Sequence, residues 1–552
     1  MKKHLLMLWA MCCAMGLYAA NKPLKIVYEN DVHGNIQNYA AIAGLRDSLR
    51  KAGYPVITVS SGDFLQGTAY ASMSKGRFCV DVVNALPYDV IAVGNHDLDY
   101  GGARLMELRD TLSHRTALLC CNLYDSLNRR CMDAYTVREA GGYKVAFVAV
   151  LTTATEDLEA NVVFNAQGKQ IYTFCKDSLA AVTQRAIDAA RAQNPDYVIL
   201  LAHMGEMPLD EHISIGQLMD QLTGVDVILD GHSHSQIESI YVQDKDDKDV
   251  LLSQTGSNLQ KVGCLTLAKG EDATTMLIDS KQLPCNATVK AAFDRVDKQM
   301  KPILGRVMGK TDFELCYSMD GKRAVRNRET NLGDLVADAY STTLDTHIGW
   351  VNGGAIRTAI GAGDITYGEM MNVSPFNNFM CVVEVTGKML ADALEECYRD
   401  CPLELGMFGQ ISNVRCKIDT TIHNTLQWTD DNQLITSGPR RVYDIEIHTD
   451  GGWRPLLPED TLTMGSTYYI VYNGESRAFH NARLLKDKVM TDLESLTSYV
   501  VDYLHGNVSD TYRQPQGRIV MTDARPQPMP DKSKAKKGKR ARTRVRKPKV
   551  LF

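Results

Sequence analysis

Five short stretches of the 552-residue chain contain the residues that could do chemistry. They combine imidazole, carboxylate and amide side chains, and five of the thirteen histidines fall within them. This mixture of nitrogen and oxygen donors suits Zn, Mn or Fe better than Ca, and no Cys takes part. The candidate metal ligands are Asp31, His33, Asp63, Asn95, His203, His232 and His234.

Each stretch follows a run rich in Val, Ile and Leu, the pattern of a strand buried on both faces. Ligand residues gather where the strands of an open α/β sheet end, so we expect the stretches to meet at the loop ends of one sheet. Helical patterns alternate with the strands, which predicts an α/β layered fold. The runs are Leu24–Tyr28, Val56–Val59, Val90–Val93, Tyr197–Leu201 and Val225–Leu229.

The length of the chain exceeds the usual limit of a single domain. The metal-type residues all lie in the first half, and a charged amphipathic helix within residues 287–305 follows it. The second half alternates helical and strand patterns again but has no metal-type cluster. We therefore expect a catalytic domain over residues 21–286, a linker helix over 287–305 and a second domain over 306–524.

The first twenty residues have the pattern of an export signal. Lys2 and Lys3 precede an apolar stretch over residues 5–17, and small residues follow. This predicts a signal peptide over residues 1–20 and a periplasmic or secreted protein. The apolar run is too short to span a bilayer, while a lipoprotein signal at Cys12 or Cys13 stays open. We expect no transmembrane segment after signal removal.

The formal charge of −5 is unevenly distributed, because residues 531–552 contain eleven Lys or Arg and one Asp. Low complexity and high charge predict a disordered basic tail over residues 525–552. A solvated tail attracted to anionic cell-surface material is the preferred interpretation, and a nucleic-acid-binding arm is the alternative. We accordingly expect no stable nucleic-acid partner.

Export would permit disulfides, and twelve Cys remain once Cys12 and Cys13 are removed. Their spacing is irregular, so the sequence leaves bridges and buried free thiols equally open. Cys397 and Cys401 are the nearest pair worth checking for a bridge. The oligomeric state cannot be read from the sequence.

The order DxH, GD, GNHD, H and GHxH resembles the calcineurin-like metallophosphoesterase family, and residues 24 to 524 resemble its secreted 5′-nucleotidase branch. The resemblance implies a four-layer α/β/β/α metallophosphoesterase domain followed by an α/β 5′-nucleotidase substrate-binding domain. It also implies two divalent cations, Zn, Mn or similar, with a metal-bound water as nucleophile. By the family pattern Asp31, His33, Asp63 and His234 hold one cation, and Asp63, Asn95, His203 and His232 hold the other.

The same resemblance assigns catalytic roles to two residues next to a ligand. His96 and Asp99 are similar to the family dyad in which the His contacts phosphate and stabilises developing charge, and the Asp orients the imidazole. The alternative for Asp99 is a turn carboxylate before a pair of glycines.

The second half supplies the residues expected to bind the rest of the substrate. Asn352 and Arg357 belong to an NGGxIR turn typical of this branch, and Arg326 and Arg328 lie where relatives place substrate arginines. A guanidinium suits phosphate because it donates two parallel hydrogen bonds. Phe376 matches the first base-stacking aromatic, with a core Phe as the alternative.

The chain departs from the family in the segment that should close the base pocket. Relatives have an aromatic followed by Gly-Gly-Asp-Gly, whereas this chain has Tyr472-Asn473-Gly474-Glu475 and then Phe479. Either Tyr472 or Phe479 could supply the second ring, and the base preference stays open.

We therefore expect an enzyme that hydrolyses nucleoside 5′-monophosphates to nucleoside and phosphate. The same metal core would also support a 2′,3′-cyclic nucleotide phosphodiesterase or a nucleotide-sugar hydrolase. The non-enzymatic alternative is a nucleotide-binding or surface-adhesion protein with a relic site, against which the complete ligand set argues.

Overall fold

The computed structural model describes residues 22–86, 88–158, 163, 169–208, 212–429, 433–472 and 476–523. The predicted signal peptide at residues 1–20, the basic tail at 525–552 and Asn473-Gly474-Glu475 lie outside the described residues. Within those ranges, none of the helices combines the length and apolar character needed to cross a membrane.

The first half of the chain forms two six-stranded sheets and a separate two-stranded pair, β5 with β8. The first has the order β14-β13-β1-β2-β3-β4 and the second the order β11-β12-β10-β9-β7-β6. The prediction that all five candidate stretches end one sheet is therefore wrong. The strands are β1 Leu24–Glu29, β2 Val56–Ser60, β3 Val90–Ala92, β4 Ala117–Leu119, β5 Tyr124–Asp125, β6 Tyr135–Ala140, β7 Tyr143–Leu151, β8 Tyr172–Thr173, β9 Tyr197–His203, β10 Val227–Leu229, β11 Gln236–Gln243, β12 Asp249–Thr255, β13 Lys261–Leu267 and β14 Thr274–Asp279.

The two sheets pack face to face because their strands are apolar on both sides. Ile26, Val59 and Val90 of the first sheet share a buried cluster with Phe147 and Leu201 of the second. Helices cover the outer faces, so the four-layer α/β/β/α order is confirmed. These helices are α1 Tyr39–Lys51, α2 Ala69–Ser74, α3 Arg77–Val83, α4 Gly102–Thr111, α5 Thr155–Leu158, α6 Leu179–Arg191 and α7 Ile215–Met219.

The second half contains further mixed sheets with helices packed on them. Its main sheets have the orders β19-β16-β25-β18-β26 and β24-β23-β20-β27, with two-stranded pairs β15-β17 and β21-β22. The strands are β15 Val307–Thr311, β16 Ile348–Asn352, β17 Gly363–Thr366, β18 Met380–Thr386, β19 Gly409–Ser412, β20 Val414–Asp419, β21 Leu426–Trp428, β22 Leu434–Thr436, β23 Val442–Thr449, β24 Gly452–Pro455, β25 Thr461–Thr467, β26 Arg483–Lys486 and β27 Ile519–Thr522.

A long helix connects the halves. The helices from here on are α8 Ala287–Leu304, α9 Asn331–Leu344, α10 Tyr367–Val373, α11 Gly387–Cys397, α12 Tyr468–Tyr472 and α13 Asp492–Ser498. Val289 and Val296 of α8 join one buried cluster with Ile42 of α1 and Met370 of α10. The apolar core is therefore continuous from the first half into the second.

The cysteines of the described residues are free thiols, including Cys397 and Cys401, which are both buried. Cys120 and Cys121 are adjacent and buried in the same way. The fold of the described residues is thus held by its cores rather than by covalent bridges.

Candidate functional site

The seven candidate ligands converge although they come from two sheets. Asp31, Asp63 and Asn95 follow β1, β2 and β3 of the first sheet, while His203 ends β9 of the second. His232 and His234 follow β10. The two sheets thus meet at their carboxyl ends, with the carboxylates on one side and most of the imidazoles on the other.

The backbone holds five of these ligands in the left-handed region, where residues with a Cβ are uncommon. Such conformations cost of order 1–3 kcal/mol each and cluster at functional sites. The φ values are 53° at Asp31, 49° at His33, 60° at Asp63, 80° at His232 and 62° at His234. These backbone conformations direct the five side chains toward one another.

Two groups of ligand atoms can be distinguished. In the first, Asp31 Oδ1 lies 3.4 Å from His234 Nε2 and 3.8 Å from His33 Nε2, and the two imidazole nitrogens are 2.9 Å apart. In the second, Asn95 Oδ1 lies 3.2 Å from His203 Nε2 and 3.0 Å from His232 Nδ1.

Asp63 lies between the two groups. Its Oδ2 is 3.7 Å from His33 Nε2 and 3.2 Å from His203 Nε2. Asp31 Oδ1 is also 3.9 Å from His203 Nε2, but its shorter contact is to His234. Asp63 is therefore the better placed of the two carboxylates to bridge a pair of cations.

The residues present fit divalent cations. Asp31 Oδ1 is buried and has no hydrogen-bond partner within the described part of the chain, as expected of an oxygen that ligates a metal. Burial, together with neighbouring His234 and Arg357, holds the pKa of His33 well below its usual value, so its ring is neutral. Burial opposes the charged form of Asp63, but His203 lowers its pKa well below the usual range.

Backbone carbonyls orient two of the imidazoles. His203 Nδ1 donates to the carbonyl oxygen of Ser61 at 2.7 Å, and His33 Nδ1 donates to that of Gln66 at 3.2 Å. A proton on Nδ1 leaves the lone pair of Nε2 for a metal, which is the usual arrangement of metal-binding His residues. Both Nε2 atoms face the carboxylates.

Asp97 is a structural residue of the site that the sequence analysis missed. Its carboxylate accepts the N–H groups of Asp63 at 3.0 Å, Phe64 at 2.9 Å, Leu65 at 2.9 Å and Gly94 at 2.9 Å. These bonds join the loops after β2 and β3. Gly94 must be glycine because a Cβ there would lie 2.2 Å from Asp63 Oδ1. The last letter of the GNHD motif was the available signal.

The structure brings the predicted catalytic pair together. His96 Nδ1 lies 3.1 Å and 3.2 Å from the two carboxylate oxygens of Asp99. Burial lowers the pKa of His96, but the neighbouring Asp99 and Asp63 outweigh it and raise the pKa. The His96 backbone N–H donates to Asp63 Oδ1 at 2.8 Å, which fixes the dyad against the cation site.

Residues of the second half reach this cluster. The Phe376 ring is 5.5 Å from the His96 ring, and the Arg357 guanidinium lies 5.4 Å from the centre of the Phe376 ring. Ala69 N–H of α2 donates to Asn372 Oδ1 at 2.9 Å, and the Ser72 hydroxyl donates to the carbonyl of Pro375 at 2.6 Å. These bonds hold the Phe376 loop against the metal loops.

Three arginines form a cationic group beside the cluster. Burial and the nearby charges of Arg323 and Arg357 lower the pKa of Arg326 to about 9. Its Nε is buried without a hydrogen-bond partner among the described residues. Arg323, which the sequence analysis missed, has its Nη1 3.3 Å from His234 Nδ1 and pairs through Nε with Glu404 at 2.5 Å. This group is suited to an anion.

Four of the predicted substrate residues have their described contacts away from this cluster, namely Arg328, Tyr472, Phe479 and Asn352. Arg328 donates to Asn327 Oδ1 at 3.3 Å and lines a surface depression with Pro402 and Ile519. The Tyr472 ring packs against that of Tyr468 at a tilt of 42°, with the centroids 5.2 Å apart.

Phe479 is fully buried in the core of the second half, with its ring edge-on to Trp350 at 5.2 Å. The structure contradicts its prediction as a base-stacking ring, because a core side chain has no face to offer a ligand. Asn352 ends β16 and its amide donates to the carbonyl of Gly406 at 3.4 Å, which braces the turn that presents Arg357.

Comparison with known families agrees with this arrangement. The calcineurin-like phosphoesterase family matches residues 24–236, which contain every candidate ligand, and the 5′-nucleotidase C-terminal domain matches residues 307–481. The chain combines these two domains, which fits the 5′-nucleotidase branch of the calcineurin-like phosphoesterases. It is a metal-dependent phosphoester hydrolase, and this decides against the non-enzymatic alternative.

Two relatives of this phosphoesterase illustrate the branch. The trifunctional nucleotide phosphoesterase protein YfkN of Bacillus subtilis is 26% identical over 86% of this chain, which spans only 33% of that protein. An apyrase of Tabanus yao is 24% identical over 82% of this chain and 86% of its own length.

A solved structure has the same architecture. The 5′-nucleotidase precursor from Thermus thermophilus superposes with a TM-score of 0.75 over 91% of this phosphoesterase and 100% of that chain, at 24% identity. At this identity the likeness shows the fold.

Proposed function

We propose that this phosphoesterase hydrolyses nucleoside 5′-monophosphates to nucleoside and phosphate at a two-cation site. The observation that carries the proposal is the meeting of Phe376, Arg357 and the metal-type cluster at one point. Metal ligands alone support any phosphoester, whereas an aromatic ring and guanidinium groups beside them suit a nucleotide. The relative described as a trifunctional nucleotide phosphoesterase supports the same substrate class.

The site residues would have three roles: holding the cations, stabilising developing charge and binding phosphate oxygens. Asp31, His33, Asp63 and His234 would hold one cation, and Asp63, Asn95, His203 and His232 would hold the other. When bound, two divalent cations neutralise phosphate charge and activate water for attack. His96, held by Asp99, stabilises the charge that develops on the phosphate, and Arg326 and Arg357 bind its remaining oxygens.

Arg323 would join the phosphate only when His234 acts as a ligand. An imidazole that ligates through Nε2 carries its proton on Nδ1, where it cannot accept a bond from the Arg323 guanidinium. The 3.3 Å contact is then lost, and Arg323 is free to turn. In the structure the Arg323 guanidinium is paired with Glu404, which neutralises its charge.

The proposal is tested by a substrate panel with added Zn, Mn, Mg or Co. We expect AMP to give the highest kcat/KM when compared with ADP, 2′,3′-cyclic AMP, a nucleotide sugar and ribose 5-phosphate. A higher value for the cyclic nucleotide or the nucleotide sugar would replace the proposal with that alternative. We also propose export to the periplasm or medium, for which cell fractionation of the full chain is the test.

The aromatic contact makes a specific prediction. Phe376→Ala should raise KM for AMP more than tenfold, because base–aromatic stacking contributes about 1–3 kcal/mol. The KM for ribose 5-phosphate, which lacks a base, should change less than about twofold. Phe379→Ala is a matched control, since this exposed ring lies three residues away. An unchanged KM for AMP in the Phe376 variant would leave recognition to the arginines alone.

A further inference from the structure

Glu206 lies three residues after His203, in the loop that follows β9. Its carboxylate accepts hydrogen bonds from the hydroxyl groups of Ser233 and Ser235, one on each oxygen. These serines belong to the loop after β10 and lie on either side of His234. One carboxylate therefore clamps both neighbours of a candidate metal ligand.

The clamp is part of a larger connection between the two loops. Gln254 Nε2 of β12 lies 3.3 Å from Glu206 Oε2 and 2.7 Å from Asp230 Oδ2. Asp230 Oδ1 in turn accepts the N–H of Met204 at 3.0 Å, next to His203. The segments that carry His203, His232 and His234 are thus cross-linked through side chains.

The backbone explains why such a clamp is needed. His232 and His234 both have positive φ, a conformation that persists only where surrounding contacts enforce it. The bonds to Ser233 and Ser235 fix the chain on both sides of His234 and immediately after His232. Without these bonds, the strained backbone of the loop would lose part of its support, and both imidazoles would be held less firmly.

We propose that Glu206 is a positioning residue that holds His232 and His234 in ligating orientation, one for each cation. Glu206 acts through Ser233 and Ser235 and not on the substrate. Partners beyond the ligands of a metal typically change metal affinity 10–100-fold when removed. The inference rests on the proposed two-cation site.

The test is a metal titration of the metal-free full chain with Co²⁺, followed by competition with a chelator and by the visible spectrum of the bound ion. Glu206→Ala should weaken Co²⁺ binding about 10–100-fold and alter the spectrum. Glu206→Gln, which keeps one acceptor oxygen, should lie between this variant and the wild type. Glu271→Ala, at an exposed carboxylate, should bind like the wild type.

A double variant provides the second arm. Ser233→Ala with Ser235→Ala should come close to Glu206→Ala, and adding Glu206→Ala to it should cause little further loss, because the two serine bonds are shared by all three residues and only the contacts to Gln254 lie outside them. The double serine variant also tests the role of Glu206 if Glu206→Ala does not fold. Co²⁺ affinity within twofold of wild type in the double variant or in a folded Glu206→Ala overturns the role of Glu206. Failure of the wild type to bind Co²⁺ contradicts the proposed two-cation site instead.

Discussion

Asp63→Asn should abolish hydrolysis, with a loss of more than about 10³-fold, and should remove both cations from the protein. The loss should exceed that of a single transition-state donor, which is about 10²–10³-fold, because Asp63 faces His33 on one side and His203 on the other. Asparagine keeps the volume and one oxygen, but it lacks the negative charge and the second ligating oxygen. A bridge cannot be made by an amide.

Metal analysis after gel filtration measures this effect, and thermal unfolding in chelator shows whether the variant folds. The metal-free variant should unfold close to the wild type, because an amide oxygen can still accept the N–H of His96. Asp364→Asn, at an exposed position on β17, is the matched control. Retention of one cation equivalent would contradict the bridging role and assign Asp63 to a single ion.

The sequence predicted the parts of the site that local patterns encode. Strands buried on both faces gave nearly continuous apolar runs, so the strand before Asp31 and the strand before Asp63 were found within one residue of their bounds. The apolar residues of helix α1, Tyr39–Lys51, recur at helical spacing, so this element is also encoded locally.

The division into two sheets could not be predicted from those runs. A strand of either sheet is apolar on both faces, and the pairing of β1 with β13 joins residues more than two hundred positions apart. The resemblance to a family supplied the four layers. The patterns along the chain predicted only that polar residues follow the carboxyl ends of the strands.

Long-range side-chain contacts account for the other differences. Arg323 and Glu206 stand in no motif, and only the folded chain brings them to His234 or to the serines beside it. Phe479 was misassigned because an aromatic after a polar turn has the same local pattern in a core and in a binding site. Its contact with Trp350 joins residues 129 positions apart in the sequence.

His96→Ala should lower kcat for AMP about 10²–10⁴-fold, the range for a positioned acid, base or charge-stabilising group. Metal content should stay at the wild-type level, since the candidate ligands come from other residues and the backbone N–H of residue 96 still donates to Asp63. KM should change little, because the arginines and Phe376 remain. This combination separates His96 from the ligands, whose loss removes cations as well as activity.

Asp99→Ala and His114→Ala complete the experiment. Among the described contacts, Asp99 bonds Nδ1 of the His96 ring, so its loss should lower kcat less than the loss of the imidazole itself.

The dyad also predicts a change in pH dependence. Because Asp99 raises the pKa of His96, the protonated ring is favoured below that pKa and is lost as the pH rises through it. In the Asp99 variant the alkaline fall in kcat should therefore begin at lower pH. His114 is exposed, and its variant should behave as the wild type. Normal turnover in His96→Ala with both cations bound would remove the dyad from the mechanism and leave the cations and arginines to stabilise the transition state.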